Sequence, residues 1–258
     1  MMANGTFDLG TLVNDGLQDR SVSDWLWMVF AVMLVCNLGV LCFSRTKRPA
    51  SPMLHRLAIT ILSTTSIAYH YTASNFGQTP PLAPSSFDFI VYNIQYVRYI
   101  QWIVNAPLLV IALFLRTGLP LSDVVLPSVM AEASVLLGLA GTFAADHYKW
   151  AYFIMSCAAL FNVFGHLLSK TLRDSFPTPT GLSRWEFVVS VLSLAFIWTL
   201  YPTVWALSEG WNLISTADAV ASYGIVDLLA GPVFLAYVLR ARRHTHVGSV
   251  TLLSDDKV

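Results

Sequence analysis

Three formal charges lie deep inside long apolar runs: Arg98, Glu132 and Asp227. At a bilayer centre each costs about 2.5–3.5 kcal/mol unless it is paired or neutralised. Around the first of them, Arg98, Gln101, Trp102 and Asn105 follow one another at i, i+3, i+4 and i+7, which places them on one helical face. Asp227 and Gly231 stand one turn apart on another run. Counted at 1.5 Å per residue from the run ends, Gln101 and Asn105 reach the same depth as Asp227 and Gly231, so the two faces can meet near mid-membrane. Arg98 sits one turn further out, placed to pair with Asp227; a purely structural salt bridge would use the same spacing. Trp198, Tyr201 and Trp205 recur at i, i+3 and i+7 beside Pro202. Aromatics with polar tips on one stripe suit the wall of a flat apolar pocket, although helix packing alone gives the same pattern. The chemistry these residues can do is ligand binding and the handling of charge or protons. No catalytic or metal constellation is expected. His70 and His166 lie on different runs without metal-ligand spacing, and Cys36, Cys42 and Cys157 read as small buried thiols.

Positioning such residues requires membrane-spanning helices. Seven apolar runs, at about 25–44, 55–75, 89–115, 122–144, 149–169, 184–208 and 215–239, each approach the roughly 20 residues a spanning helix needs. Turn and polar residues separate them, as at Arg45–Pro49, Gln78–Pro81 and Phe176–Pro179. The composition agrees: 55% hydrophobic, 12% charged, with 15 Lys plus Arg balancing 15 Asp plus Glu. Zero net charge removes the basic footprint of a nucleic-acid binder. The hydrophobicity excludes a disordered chain, and a water-soluble globule of this composition would aggregate. The expected fold class is all-α, a seven-transmembrane-helix bundle, with segments 1–24 (polar, outside), 25–243 (membrane domain) and 244–258 (cytoplasmic tail). Residues 1–24 contain no apolar core of a signal peptide, so cleavage is not expected. With the N-terminus outside, twelve Lys and Arg fall on the cytoplasmic side against Arg20 and Lys149 on the outer side. That bias predicts N-out and C-in, and puts the sequon Asn4-Gly5-Thr6 outside.

Arg98-Tyr99-x-x-Trp102, Pro107-Leu108-Leu109, Trp198-x-x-Tyr201-Pro202-x-x-Trp205 and Asp227 three residues before Ala230 resemble the microbial (type I) rhodopsins over roughly residues 25–243. Lys149-Trp-Ala-Tyr-Phe153, Glu209-Gly210, Tyr223-Gly224 and Pro232-Val-Phe234 are similar to the fungal branch. The resemblance implies the seven-helix opsin fold, with Tyr71, Trp102, Glu132, Trp198, Tyr201 and Trp205 lining or neighbouring a retinal pocket. It also implies that Glu132 matches a carboxylic acid near the retinal ring, neutral and hydrogen-bonded there.

The departures from the family pattern carry the functional expectation. The retinal-bearing lysine, one turn after the aspartate that matches Asp227, is replaced by Gly231. Schiff-base formation needs an amine, and Lys47, Lys149, Lys170 and Lys257 all lie at span boundaries or in tails. The position of the usual proton acceptor holds Gln101, which cannot take up a proton, and that of the pumps' donor holds Ala112. Asn105 and Ala106 replace two threonines usual before the proline. Losing the Schiff-base cation would leave two carboxylates beside one arginine; Gln101 reads as compensation that leaves Arg98 and Asp227 as a one-to-one pair. The chain therefore reads as a non-enzymatic, non-pumping, opsin-related membrane protein of regulatory, stress-related or scaffold type, with no covalent cofactor. Two alternatives accompany it. One is non-covalent binding of retinal, another retinoid or a lipid in the vacated space. The other is a photoreceptor or ion-transport subunit beside a chromophore-bearing partner. The expected setting is the plasma membrane, with the lipid bilayer as partner, no nucleic acid, and a homo-oligomer or a hetero-oligomer with another opsin left open.

Overall fold

A computed structural model describes residues 9–46, 51–75, 86–115, 122–173 and 184–239. The Asn4 sequon, the C-terminal tail and most of the inter-span connections lie outside them. Seven helices run through the described residues: α1 (Leu9–Thr46), α2 (Pro52–Asn75), α3 (Ser86–Phe114), α4 (Ser122–Phe143), α5 (Asp146–Arg173), α6 (Arg184–Trp205) and α7 (Thr216–Leu228). Each packs against the next in sequence, and α7 also packs against α1, so the bundle closes into a ring.

Among the described residues six stretches are long and apolar enough to cross a membrane by length and composition, from Arg20–Thr46 in α1 to Thr216–Leu239, which begins with α7 and continues beyond it. α2 is more polar than these, and its own hydrogen bonds explain how it joins the bundle. Thr60, Thr64, Thr65, Ser66, Thr72 and Ser74 each donate their hydroxyl to the backbone carbonyl four residues earlier, at 2.7–3.0 Å. A hydroxyl bonded back onto its own helix leaves no unmet donor for the membrane. α1 differs from expectation at its start. It begins at Leu9, inside the stretch read from composition as a polar segment over 1–24. Hydropathy locates the part of a helix that sits in hydrocarbon, while the helix itself continues as long as its backbone ladder does.

The bundle's outer surface is apolar. Val35, Ile67, Ile154, Phe161, Trp185 and Phe196 are all more than 60% exposed, a belt suited to acyl chains and unsuited to water. Inside, Val29, Met33, Leu62, Val110, Leu113, Val163, Leu194 and Phe234 are buried in a continuous core.

Two π-helical turns interrupt the regular ladder. One, Ala206–Gly210, ends α6; the other, Leu229–Val233, follows α7, and helix resumes through residue 239. The second contains Pro232, which has no N–H to give. The wider turn absorbs the missing donor, and the Phe234 N–H bonds to Leu229 O five residues back. Between the two, Ser215 caps α7 by accepting from the Asp218 N–H at 3.2 Å.

Candidate functional site

Asp227, only 3% exposed on α7, is the hub of the interior. Its Oδ2 accepts the Tyr69 hydroxyl of α2 at 2.7 Å. Its Oδ1 accepts the Tyr201 hydroxyl of α6 at 2.6 Å and the Trp102 Nε1–H of α3 at 3.1 Å. Four helices are thus tied to one carboxylate. A hydrogen bond to a charged group contributes about 1.5–3 kcal/mol, so three of them offset the cost of holding the group there.

Arg98 does not pair with Asp227, contrary to the expectation from spacing. No ion pair joins them among the described residues, where the pair within 4 Å is Lys149 with Asp146 at 3.1 Å. The Arg98 guanidinium instead lies over the Tyr223 ring, 4.1 Å from its centroid, a cation–π contact. The tyrosine and indole donors already occupy the carboxylate, and α3 places Arg98 one turn before Gln101. Tyr223 in turn meets Trp102 edge-on at 5.3 Å, and Trp102 meets Tyr201 at 4.6 Å. Arg98 is thus linked to the residues around the hub by aromatic packing, without touching the carboxylate itself.

Beside the hub lies a cavity of about 110 Å³, lined from α2 through α7 and the second π turn. One water needs about 10–15 Å³, so the space is several times larger than that. Eight of the eleven residues anticipated from the sequence line it: Gln101, Trp102, Asn105, Trp198, Tyr201, Trp205, Asp227 and Gly231. The structure brings these together from α3, α6, α7 and the π turn that follows α7.

The other three lie elsewhere. Tyr71 is 49% exposed, because two residues along a helix turn a side chain by about 200° from the direction of Tyr69. Tyr69, not Tyr71, supplies the α2 hydroxyl. Glu132 follows Ala131, which does line the cavity, and one residue turns it away, half-buried beside the lining face. Arg98 borders a second, smaller cavity with Tyr69, Thr72 and Gln101.

Several lining or supporting residues escaped the sequence reading. Thr65 accepts the Asn105 Nδ2–H at 2.8 Å, joining α2 to α3. Thr142 accepts the Trp205 Nε1–H at 3.2 Å and bonds the Tyr99 hydroxyl at 3.1 Å. Phe153 stacks on Trp205 at 5.1 Å and 15°. Ser134 and Ser156 exchange hydrogen bonds with each other's backbone carbonyl, at 2.9 and 2.7 Å, across the α4–α5 seam. Thr65 and Tyr69 are i and i+4 on α2, a signal available from spacing but hidden among the many hydroxyls of that helix.

The lining contains no lysine and no arginine. Lys149, at the start of α5, is held outside it by Asp146 and by the Glu209 carbonyl at 3.1 Å. The residues present thus offer no amine to a covalently bound aldehyde. A β-carbon at Gly231 would meet Met33 Sδ at 3.6 Å and Leu62 Cδ2 at 3.7 Å, ordinary contacts. Glycine is not demanded there by crowding.

A family model described as bacteriorhodopsin-like protein matches residues 20–244. Protein FDD123 of Trametes versicolor is 37% identical over 237 residues, 92% of this chain and 80% of that protein. The opsin-like protein carO of Fusarium fujikuroi is 34% identical over 227 residues, 86% of this chain and 74% of that one. Among solved structures, Acetabularia rhodopsin I superposes with a TM-score of 0.76 at 27% identity, covering 87% of this chain and 95% of that chain.

Proposed function

This chain belongs to the bacteriorhodopsin-like family, in its fungal opsin branch, and from that membership we propose that it is an opsin-related integral membrane protein that works without a retinal Schiff base and does not pump protons. The observation that carries this reading is the pairing of Gly231, at the position where the family has its lysine, with a cavity that no lysine lines. Gln101 and Ala112 agree with it, since neither can accept or donate the protons a pump moves. Ala112 is buried and apolar on the inner half of α3.

A stable scaffold whose polar centre is closed by Tyr69, Trp102 and Tyr201 suits a regulatory, stress-related or scaffolding role in the plasma membrane, N-terminus outside. The roughly 110 Å³ cavity favours a second reading, a non-covalent retinoid or lipid binder. The third reading, a subunit beside a chromophore-bearing opsin, differs from both by requiring a partner.

One measurement separates the readings. The purified chain is reconstituted with all-trans-retinal and its absorbance recorded. No red-shifted band is expected; a washed-in band resembling free retinal would favour non-covalent binding. A visible band that hydroxylamine bleaches would overturn the proposal.

A further inference from the structure

Asn105 is 6% exposed, lines the cavity and keeps one unmet hydrogen-bonding atom. The Thr65 hydroxyl gives its only proton to the Ile61 carbonyl at 2.9 Å, so toward Asn105 it can only accept, which it does from Nδ2 at 2.8 Å. The amide orientation is thereby fixed, and Oδ1 is left as a buried acceptor without a partner. Native proteins rarely leave such an atom unmet, because its lost hydration costs about 1–3 kcal/mol. One turn outward, Gln101 is 3% exposed, borders the same cavity and makes no hydrogen bond to the protein among the described residues. The rest of the wall is apolar or aromatic, with Leu109, Val135, Leu160, Trp198 and Ala230 among its members.

From this juxtaposition we infer that the cavity takes a long-chain or isoprenoid alcohol, its hydroxyl donating to Asn105 Oδ1 and accepting from Gln101, a choice that rests on the non-covalent reading above. Charge and donor count select the class. A carboxylate or phosphate head would face Asp227 with no cation in the lining to balance it. An ammonium head would have to shed its hydration to meet a carboxylate that Tyr69, Trp102 and Tyr201 already satisfy. An aldehyde only accepts, so it would leave Asn105 Oδ1 unpaired. A hydroxyl supplies the single donor and the lone pairs that this end of the cavity asks for.

The test uses the full chain in lipid nanodiscs and all-trans-retinol as probe. Its near-ultraviolet absorption overlaps tryptophan emission, so Trp102, Trp198 and Trp205 report binding by energy transfer. Saturable transfer is expected, with retinol bound about tenfold more tightly than all-trans-retinal or retinoic acid, the ratio one net hydrogen bond gives. In Asn105→Leu, retinol and retinal are expected to bind within about twofold of each other. Gln101→Leu, which leaves the Thr65–Asn105 bond in place, is expected to narrow the preference as well. Absence of saturable transfer with retinol, as for a cavity holding only water, would overturn the inference. So would a preference for retinal or retinoic acid, or a retinol preference unchanged in both variants. A hydroxylamine-sensitive visible band with retinal would instead overturn the non-covalent reading beneath it.

Discussion

Tyr69 and Tyr71 stand two residues apart on α2, yet only Tyr69 reaches the Asp227 carboxylate. Tyr69→Phe removes one hydrogen bond to a charged group, so a loss of about 1.5–3 kcal/mol is expected, read as a lowered Tm in nanodiscs. Tyr71→Phe, at a half-exposed position, is expected to cost less. At Gly231 the expectation runs toward gain. A lysine β-carbon fits against Met33 and Leu62, so Gly231→Lys should form a hydroxylamine-sensitive adduct with retinal. Adding Gln101→Asp should enlarge its visible-absorbing fraction at pH 7 by supplying counter-charge. Absorbance spectra of the two variants check both steps. What could be read from the sequence at this scale were residues strange for their place, such as Asp227 and Gln101 inside apolar runs. Tyr69 and Thr65 are ordinary in type, and their roles depend on the rotation of α2 against residues up to 158 positions away.

Among the elements, α1 and α3 through α7 announce themselves as apolar stretches of spanning length. α2 was read as one run among seven, although its hydroxyls depress its hydropathy while satisfying themselves on their own backbone. The two π turns were not legible. A proline or glycine in a run permits a wider turn but does not specify one. Glycines separate the seams that packing closes from the faces it leaves open. At Gly224 a β-carbon would stand 2.6 Å from Trp25 Nε1 across the α1–α7 seam. Gly224→Ala is expected to destabilise by about 1–3 kcal/mol as Trp25 is displaced. At Gly165 on α5 nothing lies within 4 Å, and Gly165→Ala is expected to raise stability by up to about 1 kcal/mol through helix propensity alone. Thermal melts of the two variants side by side distinguish a closing contact from an open face.

Across the whole molecule, the seven helices form a closed ring with an apolar outer belt and a polar centre reached from four helices. Composition revealed the belt, but ring closure depends on α1 meeting α7, a contact no local pattern encodes. The basic bias of one side predicts that Asn4 faces outward. A glycosidase-sensitive mass shift, abolished by Asn4→Gln, is the expected result in a eukaryotic host. On the proposed reading without a Schiff base, a carboxylate satisfied by Tyr69, Trp102 and Tyr201 needs no pigment to complete it, which bears on biosynthesis. Cells that make no carotenoid are expected to accumulate the folded chain as abundantly as cells that do. Its turnover in a translation-arrest chase should not slow when retinal is fed, so on that reading the amount of this protein would follow its own synthesis and not the nutritional state that sets chromophore levels.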